Sequence, residues 1–235
     1  MPPHDPVLLE YHDTVVRLSD FELLAPHQWL NDTVIEFYYE YLERRFLTRH
    51  PEVLLLRPAM AHLLAHGPAG DTGLAEALPA NLHRRELIFV PVNDSTELTR
   101  IGGTHWSLLV FARADRTFYY YDTLGKYNLA AAQLAVRKLS HWTGCEASRF
   151  RTMKVAQQKS AQAGDCGVFV IMFTRCLALR YLRMRELVDS GPLRPAELHL
   201  CEVAEDTFPT ATEQRLQIRA LVRELQLEQV GEAIS

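Results

Sequence analysis

Cysteine is scarce in this chain: four of 235 residues, Cys145, Cys166, Cys176 and Cys201, with no C-x-x-C pair among them. None combines with histidine at the spacing of a zinc site, so neither a metal centre nor a disulfide framework is expected. Long hydrophobic runs are also lacking. The longest apolar segment, Val168 to Leu182, is broken by Arg175 and Arg180, which excludes a membrane span. Met1-Pro2-Pro3-His4-Asp5 does not read as the basic-then-apolar start of a signal peptide. A large excess of one charge is lacking too: 25 Lys and Arg stand against 29 Asp and Glu, the net charge is −4, and no basic stripe marks a nucleic-acid footprint. There is no internal repeat and no long linker. These absences point to a soluble protein with free thiols in a reducing compartment, cytoplasmic or nuclear, without membrane or nucleic-acid partners.

What remains is a chain that is 48% hydrophobic, enough for one sizeable core and too much for disorder. Val7 to Leu24 reads as short strands, with a helix as the alternative there. Asn31 is a candidate N-cap for an amphipathic helix over Thr33 to Phe46, where Val34, Phe37, Tyr38, Tyr41 and Leu42 recur at three and four. Arg57 to Ala65 reads as a short helix, and His66 to Ala80 as a surface loop. Strands are expected over Leu87–Val92, Trp106–Phe111, Phe118–Tyr121 and Arg149–Val155, and Ala112 to Thr117 is a hairpin turn. Ala130–Trp142 has helical spacing. Gly167–Arg185 is apolar on most faces and should be a central helix. A last amphipathic helix starts near Pro209 and runs to about Leu227. The fold class is α+β, with a central, mostly antiparallel sheet and helices around it.

One segment carries chemistry. In Asp165-Cys166-Gly167-Val168-Phe169 a cysteine sits where a Gln-rich loop becomes the central helix. The N-terminus of a helix favours an anion, so a cysteine there is biased toward thiolate, the form that attacks acyl groups. His105 precedes one expected strand and Asp122 follows the next. If the turn between them centres on Ala114 and Asp115, Asp122 is the diagonal neighbour of His105 on one face, with Cβ atoms roughly 7–8 Å apart. A register shift of one residue would separate them. Each of these residues alone has a plainer explanation: a buried thiol, a hairpin histidine, a turn-forming aspartate. Their joint occurrence makes a Cys–His–Asp triad the reading of choice. Cys145, Cys176 and Cys201 have no such surroundings.

The flanking residues resemble a known family. Trp29-Leu30-Asn31-Asp32, Gly103-Thr104-His105-Trp106-Ser107-Leu108-Leu109-Val110, Tyr121-Asp122, and Gln157-Gln158 ahead of Asp165-Cys166-Gly167 resemble the sentrin-specific, Ulp-type cysteine proteases. The short deneddylase branch is the most similar, also through Val92-Asn93-Asp94. The resemblance spans roughly Asp5 to Arg180, is weaker around Gly70 and beyond Arg185, and implies a papain-like architecture without a cofactor; residues 1–235 are expected to form a single catalytic domain. It implies cleavage after the C-terminal Gly-Gly of a ubiquitin-like modifier, in precursor processing and isopeptide deconjugation. Partners would be the modifier and its conjugates, of cullin type for a deneddylase, with the enzyme a monomer.

The implied roles are Cys166 as nucleophile, His105 as general base and acid, and Asp122 as orienting group. Trp29 and Trp106 would clamp the Gly-Gly tail, and Asp32 would pair with a basic residue near it. Asn93 and Asp94 would open the loop that reads the modifier. The family's oxyanion-hole glutamine stands six residues before the cysteine, where this chain has Ser160. Gln157 fits the Gln-Gln pattern and is the choice, with Gln158 and Gln162 as rivals. A protease for SUMO is the alternative of the same class. A silent module that only binds ubiquitin-like proteins, and an acyltransferase using the same triad, are the alternatives of other classes.

Overall fold

The computed structural model describes residues 5–67, 76, 78–96, 102–146, 148–155, 164–191, 200–203 and 208–234. It opens with a small antiparallel pair, β1 (Val7–Tyr11) and β2 (Thr14–Arg17), followed by the one-turn helix α1 (Leu18–Glu22). Helix α2 (Asp32–Leu42) starts where Asn31 was expected to cap it: the Asn31 side chain accepts the Val34 amide at 3.1 Å. A π-turn over Glu43–Leu47 extends it.

The central sheet has five strands in the order β3 (Val53–Leu55), β4 (Leu87–Asn93), β5 (Trp106–Ala112), β6 (Thr117–Tyr121) and β7 (Arg149–Thr152). β4, β5 and β6 are antiparallel, as expected. The two edges differ from the expectation, because β3 runs parallel to β4 and β7 parallel to β6. The reason is connectivity. α3 (Pro58–His66) lies between β3 and β4, and α4 (Leu129–Trp142) between β6 and β7. A helical crossover returns the chain in the same direction. β3 has only three residues and escaped the sequence reading.

Both faces of the sheet are covered. Phe89, Leu108, Val110 and Tyr121 pack on one side with α2, α5 (Cys166–Asp189) and α6 (Ala211–Ile234). Ile88, Val90, Leu109 and Phe118 pack on the other with α3 and α4. Burial on two faces explains why β4 to β6 are continuous apolar runs instead of alternating ones. α5 is central as expected, with Val168, Ile171 and Leu177 fully buried.

Candidate active site

The hairpin β5–β6 brings a histidine and an aspartate to one end of the sheet. Its register, from Leu108 opposite Tyr121 to Ala112 opposite Thr117, is the one that a turn centred on Ala114 and Asp115 requires. Nε2 of His105 donates to Oδ1 of Asp122 at 2.7 Å, and the two side chains are 1% and 0% exposed. The carboxylate can only accept, so the proton of this bond sits on Nε2.

Asp122 receives three further donors. Oδ1 accepts the Leu124 amide at 2.8 Å; Oδ2 accepts the Tyr120 hydroxyl and, at 3.2 Å, the Asn128 amide. Burial by itself would raise its pKa. The bonds from His105, Tyr120 and Leu124 outweigh burial and hold the carboxyl below its ordinary value. For His105 burial acts to lower the pKa, but Asp122 and Cys166 act to raise it and win, pushing it up to about 9. The imidazole is therefore charged at neutral pH. Its Nδ1 is buried and has no hydrogen-bond partner among the described residues.

Cys166 is the first residue of α5, where backbone amides lack intrahelical partners. It lines a cleft of about 180 Å³ together with Trp29, Asp32, Asn93, His105 and Trp106. Trp106 is buried and its Nε1 donates to the Leu30 carbonyl at 2.9 Å, whereas Trp29 is 43% exposed. Leu30 also approaches Gly167 so closely that a Cβ there would lie 2.9 Å from the Leu30 Cβ. Glycine after the cysteine is therefore what lets the Trp29–Leu30 segment lie against the start of α5. Among the described residues there is no group of three or more potential metal ligands. The chemistry this arrangement can perform is acyl transfer through a cysteine nucleophile.

The C-terminal catalytic domain of the Ulp1 protease family matches residues 28–184, more than half of the chain. The chain belongs to this family. It is 31% identical over 232 residues to NEDD8-specific protease 1 of Arabidopsis thaliana, covering 97% of each chain. It is 35% identical over 210 residues to NEDD8-specific protease 2 of Schizosaccharomyces pombe, covering 83% of this chain and half of that protein. In fold it is similar to the yeast Ulp1 protease domain solved in complex with Smt3, with a TM-score of 0.62 at 22% identity over 95% of this chain and 90% of that one.

In this Ulp1-family cysteine protease most of the expected residues that are described lie together. Trp29, Asp32, Asn93, His105, Trp106 and Cys166 share the cleft, with Asp122 behind the histidine. Asp32 lies exposed at the rim, and Asn93 also accepts the Ser95 amide at 2.8 Å. Asp94, expected to meet the modifier, is half-buried and accepts three bonds from its own chain. Oδ1 accepts the amides of Thr104 at 2.6 Å and His105 at 3.0 Å, and Oδ2 accepts the Thr104 hydroxyl at 2.6 Å. Three donors within its own chain occupy the carboxylate, so it secures the backbone ahead of His105. Gln157, Gln158 and Gln162 lie outside the described residues.

Three supporting residues escaped the sequence reading. Tyr120 holds Asp122, and its position two residues earlier on the same strand face was a usable signal. Asn128 donates to the carbonyls of Val92 and His105, both at 3.0 Å, tying the end of β4 to the histidine. Arg215 reaches the residue before the nucleophile from α6. Neither of these two carries a local sequence signal.

Proposed function

We propose that this protease is a deneddylase: it cleaves after the C-terminal Gly-Gly of NEDD8, maturing the precursor and releasing the modifier from lysines of its conjugates. The observation that carries the mechanism is the buried His105–Asp122 pair at 2.7 Å beside Cys166 at a helix start. The names of the relatives support the choice of modifier.

In this reading the Gly-Gly tail lies in the cleft between Trp29 and Trp106, where flat indoles leave no room for a Cβ. The Cys166 sulfur attacks the terminal glycine carbonyl, with the Cys166 amide as one oxyanion donor. The charged His105 gives its proton to the leaving amine, and the acyl-enzyme forms. His105 then takes a proton from the incoming water, and the thioester breaks to free the glycine carboxylate. Asp122 keeps the imidazole oriented and stabilises its charged form throughout. Gln157 remains our choice for the second oxyanion donor. The proposal extends to a monomer whose catalytic domain spans 1–235, acting on cullin-type conjugates in the cytoplasm or nucleus.

The test is kcat/KM on fluorogenic C-terminal amides of NEDD8, SUMO and ubiquitin. At least about tenfold preference for NEDD8, equivalent to about 1.4 kcal/mol in the transition state, is expected. Preference for the SUMO amide would keep the mechanism and overturn the specificity. No turnover of any of the three by folded protein would overturn both.

A further inference from the structure

The family match ends at residue 184, yet a residue far beyond it reaches both walls of the active site. Arg215, near the start of α6, has a side chain only 2% exposed. Its guanidinium makes a fan of bonds. Nη1 donates to the carbonyls of Leu23 at 2.9 Å and Ala25 at 3.1 Å. Nη2 donates to the carbonyls of Gln28 and Gly164, both at 2.7 Å. Nε and Nη2 also donate to Oδ1 of Asp165, at 3.2 and 3.0 Å.

These acceptors belong to two segments. One runs from Leu23 to Gln28 and delivers Trp29. The other, Gly164-Asp165, delivers Cys166. The segments also touch directly, since a Cβ on Gly164 would lie 2.7 Å from both the Gln28 carbonyl oxygen and Cδ1 of Trp29. Asp165 occupies the N-cap position of α5 but makes no side-chain cap bond, and its carboxylate turns to Arg215 instead. The feature therefore cannot be assigned to helix capping. A buried guanidinium requires its donors to be satisfied, and each of the six bonds above goes to one of those two segments.

We infer that Arg215 is a positioning residue for the protease: it locks the nucleophile's loop to the Trp29 loop, so that the sulfur and the tail-binding indole keep one fixed separation. α6 is in that sense part of the catalytic unit. The inference concerns the site whose use is proposed above and rests on that reading for its kinetic consequence, though not for its structural one. Lysine keeps the charge but is a point donor on a flexible stem, and cannot span four carbonyls and a carboxylate in two directions.

The experiment compares wild type, Arg215→Lys and Arg219→Lys as full chains. Arg219, on the same helix, reaches the Phe21 carbonyl and ring among the described residues and serves as control. Two readouts are taken: amide hydrogen exchange across residues 23–31 and 164–172, where the Phe169 amide bonds the Asp165 carbonyl, and kcat and KM on the NEDD8 C-terminal coumarin amide. Arg215→Lys should speed exchange in both segments while β5 and β6 stay protected. It should lower kcat by about ten- to a hundredfold, the scale of an ångström-level misplacement, with a smaller change in KM. Arg219→Lys should alter neither. Unchanged exchange in either segment of folded Arg215→Lys, or unchanged kcat, overturns the inference. So does faster exchange spread through β5 and β6, which would make Arg215 a general stabiliser. Should Arg215→Lys fail to fold, Asp165→Asn tests one arm of the clamp: faster exchange is expected over 164–172 only, and no change there overturns the inference. Wild type inactive on the NEDD8 amide would sink the proposed function, while the exchange comparison would still decide the clamp.

Discussion

Among single side chains, His105 shows how environment sets reactivity. Burial would leave the imidazole neutral; Asp122 and Cys166 reverse that and carry its pKa to about 9 against an ordinary 6.5. The charged ring thus persists through neutral pH and is lost as pH rises through about 9. If imidazolium is the proton donor to the leaving amine, kcat/KM for NEDD8-amide cleavage should fall on an alkaline limb near that value. Asp122→Asn removes the charge that raises the pKa, so the limb should move to lower pH. The replacement amide can also hold the wrong tautomer, and kcat should drop by up to about ten-thousand-fold. An alkaline limb that stays in place in Asp122→Asn would contradict this account of His105. Asp94 acts one step further back, through three bonds to Thr104 and His105. Asp94→Ala should lower kcat by about ten- to a hundredfold through a displaced His105. If it changes KM alone, Asp94 contacts the modifier after all.

Among elements, the segments that meet at the start of α5 leave no slack. Gly164 has a φ of +70°, and a Cβ would sit 2.7 Å from a backbone oxygen. Gly164→Ala should cost about 1–3 kcal/mol in denaturant unfolding. It should also reduce turnover, because the strain falls between Trp29 and Cys166. Stability equal to wild type would show that the loop can shift freely. The elements themselves were largely legible. The hairpin register followed from a short polar turn between two apolar runs, and the Asn31 cap from its position before an amphipathic stretch. The parallel edges were not legible. Val53–Leu55 is too short to show a period, and direction in a sheet is decided by crossovers instead of by composition. Continuous apolar runs in β4 to β6 said that the strands are buried, not which helices bury each face.

Across the whole molecule, the site draws on residues from Trp29 to Arg215, gathered by a hairpin, a central helix and a C-terminal helix. The triad could be read from the sequence because each member sits at the end of a recognisable element and within a motif. Asn128 and Arg215 could not, because their roles depend on carbonyls brought close only by the complete fold. The other thiols fit a site with one nucleophile: burial pushes Cys201 up to about 12 and raises Cys176, and Cys145 is buried. The most direct test of the central claim is covalent capture by NEDD8 carrying a C-terminal electrophile, with the adduct mapped by peptide mass. The account predicts a single adduct on Cys166 that disappears in Cys166→Ala, although three cysteines remain. An adduct on Cys145, Cys176 or Cys201, or capture that persists in Cys166→Ala, would contradict it.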